Sequence, residues 1–122
     1  GSMVIVDEIR VPLPDGINVY LEYPFSINQD NIGFIIYNDG EDLESFTLDF
    51  EVYNQSILEQ NLSINLEDLV LNSYEYFIYN LVPDREYRFV MYANFVDQDS
   101  LREVRKVIGE LTVQTASNIS PP

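Results

Sequence analysis

Residues 76–93 have the sequence YFIYNLVPDREYRFVMYA, and this stretch decides the fold. Two aromatic-rich apolar runs flank a short polar corner, a pattern typical of two consecutive β-strands. Pro83 ends the first run, because its ring fixes φ and removes a backbone donor. Tyr87 opens the second run, so the spacing is Leu81-x-Pro83-x-x-x-Tyr87. This spacing predicts a tyrosine corner, in which a buried ring sends its hydroxyl back to nearby backbone.

The composition indicates one globular domain without the usual catalytic groups. Of the 122 residues, 46% are hydrophobic and 13% aromatic, which is too apolar for a disordered tail. Cysteine and histidine are both missing. Their absence excludes Ser-His-Asp and Cys-His catalysis and removes the usual zinc ligands. Carboxylate pairs abound, but nothing singles one out. We therefore expect no enzyme activity and no cofactor.

The charge balance is strongly acidic, with 21 acidic residues against 6 basic ones and a net charge of −15. Nucleic acid and anionic membrane surfaces require the opposite sign, so neither is an expected partner. No apolar run approaches the roughly 18 residues of a membrane span, and we expect no membrane insertion. Residues 1–84 hold a single base, Arg10. We interpret the surplus as a soluble, self-repelling surface, with a basic partner as the alternative.

Apolar periodicity along the chain predicts about eight strands. The cleanest alternation is Phe46, Leu48, Phe50 and Val52 inward. A short helical turn over Glu67–Leu71 is a further expectation. Short strands separated by turns favour a sandwich over a barrel or an α/β fold. The predicted strands are Val4–Val11, Ile17–Tyr23, Ile32–Asn38, Phe46–Tyr53, Ile57–Ile64, Tyr74–Leu81, Glu86–Phe95 and Val104–Thr115.

The corner stretch resembles the fibronectin type III family, whose modules carry a similar Tyr-x-hydrophobic-x-x-Leu-x-Pro-x-x-x-Tyr run. The resemblance implies an all-β, Ig-like, two-sheet antiparallel sandwich of about seven or eight strands with an enlarged middle hairpin. In this register Val19–Pro24 looks like the second strand and Asn31–Tyr37 like the third. Tyr23 then stands where the family usually has a core tryptophan.

A second register competes in the middle of the chain. Asn38–Phe50 resembles adhesion-type Ig-like modules of bacterial cell-surface proteins. In that register Ile32–Asn38 is the second strand and Phe46–Tyr53 the third. Both registers give an Ig-like sandwich, but they differ in the sheet that each middle strand joins. We favour the type III register and leave residues 32–73 open.

The two ends of the chain differ from its middle in amino-acid composition. Residues 1–3, Gly-Ser-Met, are typical of a remnant of an expression vector. Residues 116–122 have the Ser, Asn and Pro content of a linker. We therefore expect one sandwich module over residues 4–115, taken from a longer chain.

Outward aromatic residues are the candidate binding site. If the core-facing side chains include Tyr76, Ile78, Tyr87 and Phe89, the residues between them point outward. Tyr-rich exposed faces are typical of recognition surfaces, although cross-strand aromatic pairs also simply stabilise sheets. The predicted protein-binding face comprises Ile35, Tyr37, Phe77, Tyr79, Val90 and Tyr92, and the structural corner comprises Leu81, Pro83 and Tyr87.

Two further interactions are predicted from acidic residues. Asp49 or Glu51 is expected to pair with Arg88 across neighbouring strands. The runs Asp39–Asp42 and Asp97–Asp99 gather carboxylates on loops. Neither run has the spacing of an EF-hand, so a calcium site is the less favoured interpretation.

We expect a non-catalytic extracellular or cell-surface module that acts as an adhesive or spacer domain and binds protein partners or neighbouring domains. The resemblance to modules of bacterial surface proteins and phage tails leaves an alternative. In that alternative the chain is a structural part of a phage or virus particle and packs against neighbouring subunits. A carbohydrate-binding domain is the weaker third possibility.

Overall fold

The computed structural model describes residues 12–41, 45–65 and 73–117. The predicted strand Val4–Val11 and the predicted helical turn Glu67–Leu71 lie outside these residues. The described residues form eight strands and no helix: β1 (Val19–Leu21), β2 (Ser26–Ile27), β3 (Ile32–Asn38), β4 (Phe46–Asn54), β5 (Ile57–Ile64), β6 (Ser73–Ile78), β7 (Glu86–Val96) and β8 (Glu103–Gln114).

The described strands form two antiparallel sheets that pack face to face as an Ig-like sandwich. In sheet A, β3 is central, with β6 on one side and both β1 and β2 on the other. In sheet B the order is β5-β4-β7-β8. The predicted fold class, an all-β two-sheet sandwich, is confirmed.

The second of the two sequence registers is the correct one, and the favoured register is wrong. β3 pairs with β6 in sheet A, whereas β4 pairs with β7 in sheet B. The favoured register takes Val19–Pro24 as the second strand and Asn31–Tyr37 as the third. In the structure β1 pairs with the C-terminal half of β3 and β2 with its N-terminal half, so both lie on the same side of β3 and fill the position of one strand. β3 takes the next position, one place earlier than the favoured register puts it.

The core fills the space between the two sheets. Three aromatic rings lie at its centre, all of them fully buried. Phe34 of β3 meets Phe89 of β7 edge-on at 4.9 Å and stacks on Phe50 of β4 at 5.8 Å between ring centroids. The alternation predicted for β4 holds, since its inward residues Phe46, Leu48, Phe50 and Val52 are all buried.

The corner before β7 connects β6 of sheet A to β7 of sheet B at one end of the sandwich. Tyr87 is fully buried, and the Val82 N–H donates a hydrogen bond to its hydroxyl at 2.8 Å. The Thr115 hydroxyl donates to the Val82 carbonyl at 2.6 Å, and it accepts from the Arg85 N–H at 3.0 Å. Asp84 adopts φ 52°, and its N–H donates to the Ala116 carbonyl. The corner is therefore bonded to the chain that follows β8.

Tyr23 does not take the place of a core tryptophan. Its side chain is 63% exposed, because it lies in the segment between β1 and β2 at the edge of sheet A. The core position next to this edge is filled from the first strand instead, by Val19. The expectation for Tyr23 is therefore wrong.

Candidate functional site

The predicted binding face is divided between the two sheets. Ile35 and Tyr37 of β3 and Phe77 of β6 lie on the outer face of sheet A, since the residues that alternate with them belong to the core. Tyr79 follows β6, and its ring lies 6.1 Å from that of Phe77. These four residues are brought together on one surface.

The other two residues lie on the opposite side of the sandwich. Val90 and Tyr92 belong to β7 and face outward from sheet B. Val90 is only 1% exposed. The prediction of one face formed by all six residues is therefore wrong. Strand periodicity distinguishes the two sides of a strand, but it does not show which sheet the strand joins.

Two stacked tyrosines form one end of the outer face of sheet A. Tyr20 of β1 pairs in register with Tyr37 of β3, and their rings stack at 5.3 Å with an angle of 18°. Tyr20 is 43% exposed. Sequence reasoning missed Tyr20 as a site residue. The alternation of Val19 and Leu21 toward the core could have identified it as outward.

Two phenylalanines and a tyrosine form the other end. Phe25 meets Phe77 edge-on at 5.5 Å, and the rings lie above Gly33. A Cβ at Gly33 would come within 2.8 Å of the Phe77 ring, so glycine leaves the space that this contact needs. Phe25 is 45% exposed and Tyr79 is 58% exposed. We call Tyr20, Phe25, Ile35, Tyr37, Phe77 and Tyr79 the aromatic face.

Carboxylates flank the middle of the aromatic face. The Glu22 N–H donates to the Ile35 carbonyl at 3.1 Å, and Glu75 pairs with Ile35 from the other side. Glu22, Ile35 and Glu75 thus form one row across the sheet. Every described strand of sheet A comes from residues 12–84, which contain no lysine or arginine. The described strands of sheet A therefore supply no cation to balance these acids.

The outer face of sheet B carries its own cations. Arg105 of β8 binds the Asp49 carboxylate through two nitrogens, at 2.9 and 2.7 Å, and lies 3.4 Å from Glu51. Asn94 donates to the same Asp49 carboxylate at 2.6 Å. The predicted partner of these acids, Arg88, pairs instead with Glu110 at 3.1 Å. The prediction failed because the sequence does not show that β8, which supplies Arg105, lies beside β7. The pairing of these two strands is seen only in the folded sheet.

Both arginines of sheet B also cover tyrosine rings. The Arg105 guanidinium carbon lies 3.8 Å from the Tyr92 ring centroid, and that of Arg88 lies 4.4 Å from Tyr53. Burial raises the pKa of Tyr92, and the hydrogen bond to Glu51 and its charge raise it further. The pKa of Tyr53 is raised by burial and by Glu51 as well. This face is an internally satisfied polar network.

The raised pKa of Tyr92 predicts a loss of stability in alkali. Because the folded pKa exceeds the ordinary value, the neutral phenol is favoured in the folded state. The stabilisation of the folded state by the neutral Tyr92 side chain is complete below about pH 10, and it declines as the pH rises beyond that value. We expect the urea midpoint to fall between about pH 10 and pH 12. Tyr92→Phe should fall less over the same range. A wild-type midpoint that stays constant over this range would contradict the prediction.

One carboxylate of the acidic loops accepts hydrogen bonds from within its own loop. Asp97 accepts hydrogen bonds from the Ser100 hydroxyl at 2.7 Å and from its N–H at 3.2 Å, and these bonds lower its pKa. In the other run, Asp42 lies outside the described residues. Within residues 12–41, 45–65 and 73–117, no group of three or more carboxylates is arranged to hold a metal ion. No helix in the same ranges is long and apolar enough to cross a membrane.

The fold of this chain is similar to that of solved structures, whereas its sequence matches no known family. No protein-family profile and no curated protein sequence matches this chain. The long form of the sensor domain of the anti-sigma factor RsgI4 in Pseudobacteroides cellulosolvens aligns with a TM-score of 0.55 and 12% identity. The alignment covers 87% of this chain and 95% of that one. The solution structure of the same sensor domain aligns at 0.53 and 13% identity, over 86% and 79% of the two chains.

A third structure, the FN5 domain of Drosophila Lar, aligns with a TM-score of 0.38 and 13% identity over 86% of this chain and 96% of that one. At 12–13% identity, the two alignments with the sensor domain concern the fold alone.

Proposed function

We propose that this chain is a non-catalytic binding module of a larger extracellular surface protein, adhesive or spacing in role, and that it engages a protein partner through the aromatic face. One observation carries the proposal: the outward-facing tyrosines of the two sheets differ in whether other side chains cover them. On sheet B, arginines of the same chain cover Tyr53 and Tyr92. On sheet A, Tyr20 and Tyr79 remain substantially exposed.

The geometry of the aromatic face suits recognition. Its rings stand on paired strands or directly beside them, so little conformational entropy is lost when a partner covers them. Tyrosine and phenylalanine combine a large apolar area with few rotatable bonds and are enriched at the centres of interfaces. Cross-strand stacking of Tyr20 on Tyr37 would stabilise the sheet in any case. Stacking does not account for Phe25 and Tyr79, whose outer surfaces stay in solvent.

A sensor domain is the second candidate. The structures that align over most of both chains belong to the sensor domain of an anti-sigma factor. A sensor of this kind would need a ligand-binding surface on a β-sandwich, and the aromatic face provides one. The two candidates share the surface and differ in whether binding holds cells or proteins together or changes the state of a connected domain.

Removing the exposed rings is expected to weaken partner binding while the fold persists. In the variant Tyr20→Ala/Phe25→Ala/Tyr79→Ala, three anchors are lost, and we expect the Kd for a protein partner to rise about tenfold or more. A partner is captured with the wild-type chain from cell-surface protein extracts, purified, and measured by biolayer interferometry. Circular dichroism checks that the variant is folded.

The matched control lies on the opposite sheet. Ile57 and Leu58 are exposed apolar residues of the β4–β5 hairpin, and Tyr53 pairs with Leu58. The variant Tyr53→Ala/Ile57→Ala/Leu58→Ala should bind the partner as the wild type does. Equal weakening by both variants would refute the assignment to sheet A. Self-association in light scattering that only the aromatic-face variant loses would support a particle component instead.

A further inference from the structure

The described strands of sheet A present tyrosines and carboxylates without the arginines that accompany them on sheet B, and we propose that a partner supplies those arginines. The occupant is an extended protein segment in which arginine alternates with apolar side chains. This inference rests on the proposed function and specifies the chemistry of the partner for the aromatic face.

Sheet B shows how this chain pairs arginine with tyrosine and carboxylate together. Arg105 lies 3.8 Å from the Tyr92 ring centroid and 2.7 Å from Asp49. Arg88 lies 4.4 Å from the Tyr53 ring centroid and 3.1 Å from Glu110. In each case one guanidinium stacks on a ring and reaches an acid. The same combination thus occurs twice on one face.

The arrangement on sheet B has three parts, a tyrosine ring, a carboxylate and a guanidinium. Sheet A has the first two of them in neighbouring rows. Tyr20 and Tyr37 occupy one row, and Glu22 and Glu75 occupy the next row, on either side of Ile35. Rows that are two residues apart along a strand are separated by about 7 Å. A guanidinium over the stacked tyrosines could therefore reach a carboxylate of the next row. The described strands of sheet A lack the guanidinium, because they lie within residues 12–84, which contain no lysine or arginine.

Arginine suits this surface better than lysine. Its planar guanidinium stacks on an aromatic ring while its N–H groups bind a carboxylate, whereas the ammonium of lysine is a strongly hydrated point charge. An extended segment repeats its side chains on one side at the same spacing of about 7 Å as the rows. In such a segment the arginines share one side and face the rows of sheet A, while the apolar side chains between them point away from the sheet.

The charge of the chain argues against a second copy as the occupant. Each copy carries a net charge of −15, so two copies repel each other. A basic segment is attracted to the same field, and its binding should weaken with added salt. Neutral oligosaccharides would stack on the same rings without using Glu22 or Glu75, and they form a separate arm of the test.

The test uses short synthetic peptides that alternate valine with arginine, lysine, citrulline or glutamate. Binding to the whole chain is followed by amide chemical shifts in ¹⁵N NMR spectra. We expect the arginine peptide to shift amides of β1, β3 and β6 and to bind more weakly in salt. Citrulline has nearly the same shape without the charge, and it should bind about tenfold more weakly or worse.

Two variants locate the charge dependence. Glu22→Gln/Glu75→Gln should weaken the arginine peptide about tenfold, while Glu110→Gln on sheet B should leave its affinity unchanged. Equal binding of the citrulline and arginine peptides at the aromatic face would overturn the arginine inference and leave the proposed function standing. Shifts of these amides with cellohexaose, but not with the arginine peptide, would overturn it in favour of a glycan. If no probe perturbed sheet A, both proposals would fail.

Discussion

Replacing Phe34 with alanine is expected to lower the free energy of unfolding by about 3–5 kcal/mol. Phe34 is fully buried and connects the two sheets, with its ring against Phe89 at 4.9 Å and against Phe50 at 5.8 Å. The truncation removes apolar contacts from both partners and leaves a cavity that close-packed neighbours fill only in part. Both partner rings belong to sheet B, so the loss falls directly on the contact between the sheets.

The loss is large compared with the stability of a domain of this size, which is about 5–15 kcal/mol. Urea denaturation followed by tyrosine fluorescence measures it. Tyr79→Ala serves as the control, because its ring is largely exposed and should cost well under about 1 kcal/mol. Phe34→Leu should fall between the two. A cost for Phe34→Ala no greater than that of Tyr79→Ala would show that the sheets do not pack as described.

Replacing Arg105 with alanine is expected to cost about 3 kcal/mol, although the residue lies on the outer face. Its guanidinium makes two hydrogen bonds to Asp49, which is buried, and covers Tyr92. Removing the arginine leaves a buried carboxylate without its cation, with only the Asn94 amide still donating to it. An uncompensated buried charge is costly because the desolvation penalty remains after the Coulombic attraction is lost.

Arg88→Ala is the matched control, since it removes the same type of side chain from the same face. Arg88 also covers a tyrosine and pairs with an acid, but both it and Glu110 are nearly half exposed. An exposed pair of this kind is worth about 0–1 kcal/mol. Urea denaturation of both variants gives the comparison. Equal costs for the two substitutions would contradict the view that the burial of Asp49 sets the difference.

A second substitution separates charge from packing in this network. Adding Asp49→Asn to Arg105→Ala removes the stranded charge while keeping most of the side-chain volume. The double variant should therefore be more stable than Arg105→Ala alone, and the two effects should not add. A further loss of stability in the double variant would show that the cost comes from lost contacts of Arg105 and not from the charge of Asp49.

The parts of the fold that the sequence predicts are those carried by neighbouring residues. The alternation from Phe46 to Val52 predicts the buried side of β4, and those residues are buried. The Leu81–Tyr87 spacing predicts a buried ring close to its own backbone partner, and the Val82 N–H lies five residues from Tyr87. In both cases the relevant geometry is set within one strand or one turn.

The parts that sequence reasoning missed depend on residues far apart in the chain. Arg105 and Asp49 are 56 positions apart, and no local pattern connects them. Tyr37 and Tyr92 have the same outward phase, yet they lie on opposite sides of the sandwich because β3 and β7 belong to different sheets. Four residues of the predicted binding face therefore lie on one surface and two on another.

The sequence by itself determined the all-β character of this protein, the corner before β7 and the excess of acid over residues 12–84. The tertiary structure alone decided which sheet each strand joined, and with it which tyrosines are covered by arginine and which are exposed. The physical reason is the range of the interactions. Side-chain alternation follows from backbone geometry within a strand, whereas sheet membership follows from hydrogen bonds and packing between strands that are distant in sequence.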